Sequence, residues 1–107
     1  MSLAVGMFSA VMISGKIELI DKIKTEMGRS GISERYLFSD LMKAVFGRSV
    51  GLDPRRLSDD LGYSYSSVSR WITGRSAPHQ VLWRQVAAWI ESSLDAKRDE
   101  LKALLAS

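Results

Sequence analysis

Between Pro54 and Thr73 the chain reads Pro-Arg-Arg-Leu-Ser-Asp-Asp-Leu-Gly-Tyr-Ser-Tyr-Ser-Ser-Val-Ser-Arg-Trp-Ile-Thr, and its hydroxyls and arginines are the groups best able to engage a partner. Leu57 and Leu61 lie four apart, and Val68 and Trp71 three apart, which marks the inner faces of two short helices. Ile72 sits beside the second face, and Tyr63 falls where the turn at Gly62 must point inward. What remains for the outer face of the second helix is Ser, Tyr, Ser, Ser and Arg. Short polar side chains with one arginine suit a helix that enters a DNA major groove, where base edges present donors and acceptors.

Other chemistries have few tools here. The absence of cysteine excludes disulfides, thiolate nucleophiles and cysteine-based zinc modules. His79 is the single histidine, which removes any ordinary His-based triad and most metal sites. It reads as a helix-start residue near phosphate rather than as a ligand or base. No catalytic residue, metal or cofactor is expected, and the chain does not read as an enzyme.

Charge distribution says more than the net charge of +3. Residues 1–47 carry six basic and five acidic side chains, and residues 85–107 carry three and four. Residues 48–84 carry six arginines (Arg48, Arg55, Arg56, Arg70, Arg75, Arg84) against three aspartates (Asp53, Asp59, Asp60). The excess sits around the helix pair, and arginine binds phosphate and guanine bidentately in a way lysine does not. A solvated basic surface would give the same pattern.

The elements that must position these residues are helical. At 107 residues the chain suits one core. Leu3 to Ile13 is an apolar run too short to span a bilayer and lacking the basic start of a secretory signal, so a cytoplasmic protein without membrane contact is expected, with residues 1–15 as an apolar arm. Residues 16–94 are expected to form the helical domain. Ile17, Ile20, Ile23 and Met27 predict a helix over 16–27, capped by Ser14 and ended by Gly28. Ser33 is placed to cap a second helix running to Phe46, with Tyr36, Leu37, Leu41, Met42 and Val45 inward and Gly47 as its stop.

Asp53-Pro54 starts the first helix of the pair, Ser64 or Ser66 caps the second, and Gly74 ends it. Pro78 marks the next start, and Val81, Leu82, Val86, Trp89 and Ile90 are expected inward. Trp83 lies off that face and is read as a dimer contact. Residues 95–107 form a helical extension, either a new helix begun at Ser92 or Ser93 or a continuation. Its Leu94, Leu101, Leu104 and Leu105 stripe serves either a dimer surface or intramolecular packing. No strand-like alternation is present. The fold expected is all-α, a bundle of five to six helices.

On these residues the chain resembles the phage repressor and Cro-like family of bacterial helix-turn-helix DNA-binding domains. The likeness includes the turn glycine Gly62, apolar Leu57, Leu61, Tyr63, Val68 and Trp71 around it, and the small Ser58 where the helices touch. It continues through Val68-Ser69-Arg70-Trp71-Ile72-Thr73-Gly74-Arg75-Ser76-Ala77-Pro78, which is similar to the family's recognition helix and following loop, and spans roughly residues 38–94. Asp59 and Asp60 depart from it, since neutral or basic residues would suit DNA better there.

The resemblance implies a lambda-repressor-like fold and base reading by Ser64, Tyr65, Ser66, Ser69, Arg70 and Thr73. Arg70 is the candidate for a bidentate contact to guanine, against a phosphate contact or an ion pair with Asp59 or Asp60. Tyr65 meets a thymine methyl or a phosphate, or is a partly buried aromatic. Ser66 and Ser69 are either readers or plain surface serines. Arg55 and Arg56 begin a helix whose free N–H groups favour phosphate, and Arg75, Ser76 and Gln80 flank the second helix; these five are expected to grip the backbone. The function implied is sequence-specific binding of double-stranded DNA by a transcriptional regulator, as a homodimer on a pseudo-palindrome. The alternative is a helical protein-interaction module, antitoxin-like or adaptor-like, with a protein partner on the apolar arm.

Overall fold

Phe38 is where the helices converge in the computed structural model. Its ring is fully buried, stacks on Trp83 with centroids 5.6 Å apart and planes at 17°, and meets the edge of Trp71 at 6.4 Å and 72°. The structure describes the backbone of residues 3–30 and 35–106, and the side chains of 10–29 and 38–106. Five helices occupy this backbone: α1 Leu3–Ser30, α2 Arg35–Phe46, α3 Pro54–Leu61, α4 Tyr65–Thr73 and α5 Gln80–Ala106. Among the described residues there is no strand, and the fold is all-α. None of these helices is long and apolar enough to cross a membrane.

Helix α2 supplies the centre of the core. Phe38, Leu41, Met42 and Val45 recur at three- and four-residue spacing and all are buried. The expected cap Ser33 and the side chains of Tyr36 and Leu37 lie outside the described residues. Gly47 ends the helix, its N–H donating to Lys43 at 3.1 Å, and Val50 and Leu52 then return the connection to the core.

The two long helices differ from the expectation. Helix α1 runs unbroken through Ser14-Gly15 and through Gly28, so neither the boundary at 15/16 nor the Gly28 stop is a break in the helix. A mid-helix glycine costs about 1 kcal/mol, which a stripe of Ile13, Ile17, Ile20, Ile23 and Met27 packed on the core outweighs. Helix α5 likewise continues through Ser92-Ser93 and past residue 94, giving five helices.

Helices α1 and α5 are antiparallel. Lys24 pairs with Asp95, while Arg98 reaches Asp21 at 2.9 Å and Asp95 at 3.2 Å. The Lys24 contact holds the Asp95 carboxyl below its ordinary range, and its hydrogen bond to Asp21 raises Arg98. Leu94 and Leu101 are buried, so that half of the leucine stripe packs intramolecularly, while Leu104 and Leu105 face outward.

The inward face of α5 is rotated from the expected one. Trp83 is buried, so its reading as a dimer contact is overturned: it stacks on Phe38, and its Nε1–H donates to the carbonyl of Pro78 at 2.8 Å. Trp83, Val86, Ile90, Leu94 and Leu101 are the buried positions, at three-, four-, four- and seven-residue steps. Val81, expected inward, is 75% exposed, because it lies on the opposite side of the turn from Trp83. The helix begins at Gln80 rather than at Pro78, and the Nδ1 of His79 accepts from the Val81 N–H at 3.2 Å. His79 therefore does the work of a capping residue.

Candidate nucleic-acid interface

Local chemistry fixes the geometry of α3 and α4. Asp53 is the N-cap of α3, extended at φ −89° and ψ 114°, and its carboxylate accepts from the Arg55 N–H at 2.9 Å, with Pro54 at the first helical position. Gly62 closes α3 in the left-handed region at φ 76°, where a side chain would be strained. Its N–H and that of Tyr63 both reach the Ser58 carbonyl, at 2.9 and 3.1 Å. The buried Ser58 hydroxyl donates in return to the Tyr63 carbonyl, so this small residue binds the turn to α3. Tyr63 packs inward, edge-on to Trp71 at 4.9 Å, with its hydroxyl 3.2 Å from Gln85 Oε1.

Ser64 is the N-cap of α4. Its Oγ accepts from the Ser67 N–H at 3.2 Å and donates to Ser67 Oγ at 2.8 Å, with Ser66 Oγ 3.4 Å away. Val68 and Trp71 are buried and Ile72 packs partly against the core, so the opposite side of α4 is left outward. Gly74 ends the helix at φ 78°, and the Arg70 carbonyl then accepts from Arg75 N at 3.0 Å, Ser76 N at 3.4 Å and the Thr73 hydroxyl at 3.2 Å. That carbonyl fixes the exit of the chain.

The structure brings most of the expected readers to one face. Ser64, Tyr65, Ser66, Arg70 and Thr73 are exposed and Ser69 is half-buried. Arg70 makes no ion pair within the described residues, so the expected alternative pairing with Asp59 or Asp60 is absent. Asp60 instead accepts the Trp89 Nε1–H at 2.8 Å, and Trp89 stacks on Phe46 at 6.0 Å. This withdraws one of the two aspartates that departed from the family pattern.

Arg55 and Arg56 part company. The Arg55 guanidinium lies 5.3 Å from the centre of the Tyr65 ring, which ties the start of α3 to the start of α4. Tyr65 is 48% exposed, so roughly half of the side chain remains available on the outer surface while its ring holds the Arg55 guanidinium. Arg56 turns away from that pair and lines a groove of about 380 Å³ between α3 and α5, with Trp89 and Lys97. Arg75 and Gln80 are exposed beyond α4, and Ser76 is half-buried between them.

One cation was not legible in the sequence. Lys43, exposed on α2, lies beside the end of α4: a Cβ on Gly74 would stand 3.8 Å from its Nζ and 3.0 Å from Ser39 Oγ. There it complements the negative end of the α4 dipole and adds a positive charge to the α4 surroundings. Spacing within α2 marks Lys43 only as a surface residue; its approach to Gly74 comes from the packing of α2 on α4. Among the described residues no cluster of three or more His, Cys, Asp or Glu is placed to hold a metal ion.

Compared with known proteins, the chain matches no protein-family model, no curated protein and no solved structure.

Proposed function

We propose that this protein is a lambda-repressor-like helix-turn-helix protein that binds double-stranded DNA in a sequence-specific manner, with α4 entering the major groove. The reading makes it a bacterial or phage transcriptional regulator of the cytoplasm, acting as a homodimer. The observation that carries it is the α4 surface: Ser64, Tyr65, Ser66 and Thr73 stand exposed around an exposed Arg70 that makes no ion pair among the described residues, with Arg55, Arg75 and Lys43 on its flanks. Nine residues of helix are about 13 Å long, enough for roughly four base-pair steps, so two copies are needed for a selective site.

In this reading Arg70 reaches guanine, the hydroxyls of Ser64, Ser66, Ser69 and Thr73 meet base edges or adjoining phosphates, and Tyr65 contacts a thymine methyl while holding Arg55 toward the backbone. Arg75, Ser76 and Gln80 grip phosphate beyond α4, and Arg56 adds charge on the α5 side. The test is selection of bound duplexes from a random pool, followed by fluorescence anisotropy. Arg70→Ala should relax the preference at one position at a cost of about 1–3 kcal/mol, whereas Arg55→Ala should weaken all sequences alike. If neither folded variant changes binding, the groove assignment is wrong. Failure to bind any duplex favours the protein-interaction module, for which the exposed Val11 and Met12 on α1 are the supporting observation.

A further inference from the structure

Helix α1 has a second face that the fold does not use. Its inward stripe, Ile13, Ile17 and Ile20, packs on the core. On the opposite side lie Val11, Met12 and Gly15, all exposed and related by the three- and four-residue steps of a single helix face, while Leu19 at its far end is half-buried and packs against the core. Val11 is 70% exposed and Met12 52% exposed. Met12, Gly15 and Leu19 floor an open basin of about 400 Å³, with Lys16 and Arg48 along one edge.

Gly15 is the informative residue. A methyl group placed there would meet nothing within 4 Å outside its own turn of helix. Alanine would therefore fit the monomer and strengthen the helix by about 0.5–1 kcal/mol. The fold of one chain gives no reason for the glycine; a second helix crossing close over it does.

We infer that this face pairs with the same face of a second copy, α1 against α1 and antiparallel, with Val11 of each chain seated over Gly15 of the other. A two-fold interface must be self-complementary: whatever protrudes at one position has to fill a hollow at its symmetry mate. Here the protruding and the hollow residue are one helical turn apart, so an antiparallel crossing near Ile13 satisfies both contacts at once. Charge points to the same occupant. Residues 1–15 carry no charged side chain, which offers an acidic or basic partner nothing to recognise and lets two copies meet without repulsion. Lys16 and Glu18 make no ion pair among the described residues, and they flank the contact rather than fill it.

This pairing gives the two-copy DNA complex its interface and rests on that reading only for its purpose; the contact itself is argued without DNA, and its test uses none. Sedimentation equilibrium of the whole chain should give about twice the 11.9 kDa of a single chain. Gly15→Leu and Val11→Glu should each return the mass to one chain with the circular dichroism unchanged, since both positions are exposed in the monomer. Each change acts twice across the two-fold, so a tenfold penalty per contact becomes on the order of a hundredfold in the dissociation constant. A wild-type chain of single mass at all concentrations, or variants that keep the doubled mass, would overturn the pairing. A chain of doubled mass that binds no duplex would instead sustain the pairing and sink the DNA reading.

Discussion

Gly62 and Gly74 share a backbone conformation but not surroundings, and substituting each by alanine separates the two contributions. Both lie in the left-handed region, at φ 76° and 78°, where an L-residue is strained by about 1–2 kcal/mol. At Gly62 the added Cβ meets nothing within 4 Å, so strain is the whole penalty. At Gly74 the Cβ would stand 3.0 Å from Ser39 Oγ, and α2 or the serine rotamer must yield as well. An off-rotamer side chain costs roughly 0.5–1.5 kcal/mol, so Gly74→Ala should total about 1.5–3.5 kcal/mol.

Urea unfolding followed by the fluorescence of the three tryptophans, of which Trp71 packs on Tyr63 beside Gly62 and accepts the Gly74 N–H at its carbonyl, measures both variants in one assay. At about 4–8 °C per kcal/mol for a chain of this size the difference is also visible in Tm. A second substitution, Ser39→Ala, removes the crowded atom and should bring Gly74→Ala back to the Gly62→Ala value. Gly62→Ala as stable as the wild type would refute the left-handed turn between α3 and α4. Equal losses at the two sites would refute the approach of α2 to the end of α4.

Three further outcomes follow from other contacts. Ser64→Ala removes the α4 cap and should lower stability by about 1 kcal/mol in the same unfolding assay, with Ser64→Gly costing only a few tenths. Asp95 has a folded pKa held below its ordinary value, chiefly by the Lys24 hydrogen bond. Its contribution is therefore complete above the ordinary carboxylate range and is lost as pH falls through the folded value. Asp95→Asn should be less stable than the wild type at neutral pH, and Tm measured against pH should show the gap closing in acid. If Arg55, Arg75 and Lys43 each neutralise one phosphate, two copies displace counterions at six. The slope of log K against log salt should then be about −5, falling to about −3 for a chain that binds singly. A slope near zero would remove the phosphate contacts from the reading.

The parts of the fold legible in the sequence are those set by residues close along the chain. Asp53, Pro54, Gly62, Ser64 and Gly74 stop and start helices through bonds spanning two to five residues, and α3 and α4 begin and end where those residues predict. Ser14-Gly15 and Ser92-Ser93 carry similar local signals, yet helices run through both. There the helix is already nucleated, and long-range contacts such as Arg98 to Asp21 and Lys24 to Asp95 reward its continuation. Trp83 failed for a related reason. Val86 and Ile90 are buried as expected, but taking Val81 as inward misplaced the first turn, where the bulk of Trp83 and its bond to Pro78 select the other side.

The candidate interface divides along the same line. The exposed face of α4 follows from which of its residues are apolar, so Ser66, Arg70 and Thr73 could be named without a structure. The stack of Arg55 on Tyr65, the diversion of Arg56 toward α5 and the approach of Lys43 to Gly74 each join residues from different helices. These contacts govern how α4 is held. A groove reader displaced by 1 Å loses bidentate geometry, so under the proposed DNA-binding function discrimination by Arg70 would depend on the rigidity of the α4 frame as well as on its own chemistry. Tyr65 and Ser64 fix the start of that frame, Gly74 and the Arg70 carbonyl fix its end, and Trp71 presses its middle against Phe38. Changes at Ser39 or Phe38, neither of them placed to touch DNA, should therefore alter specificity before they abolish affinity, because phosphate contacts tolerate displacement better than base contacts do.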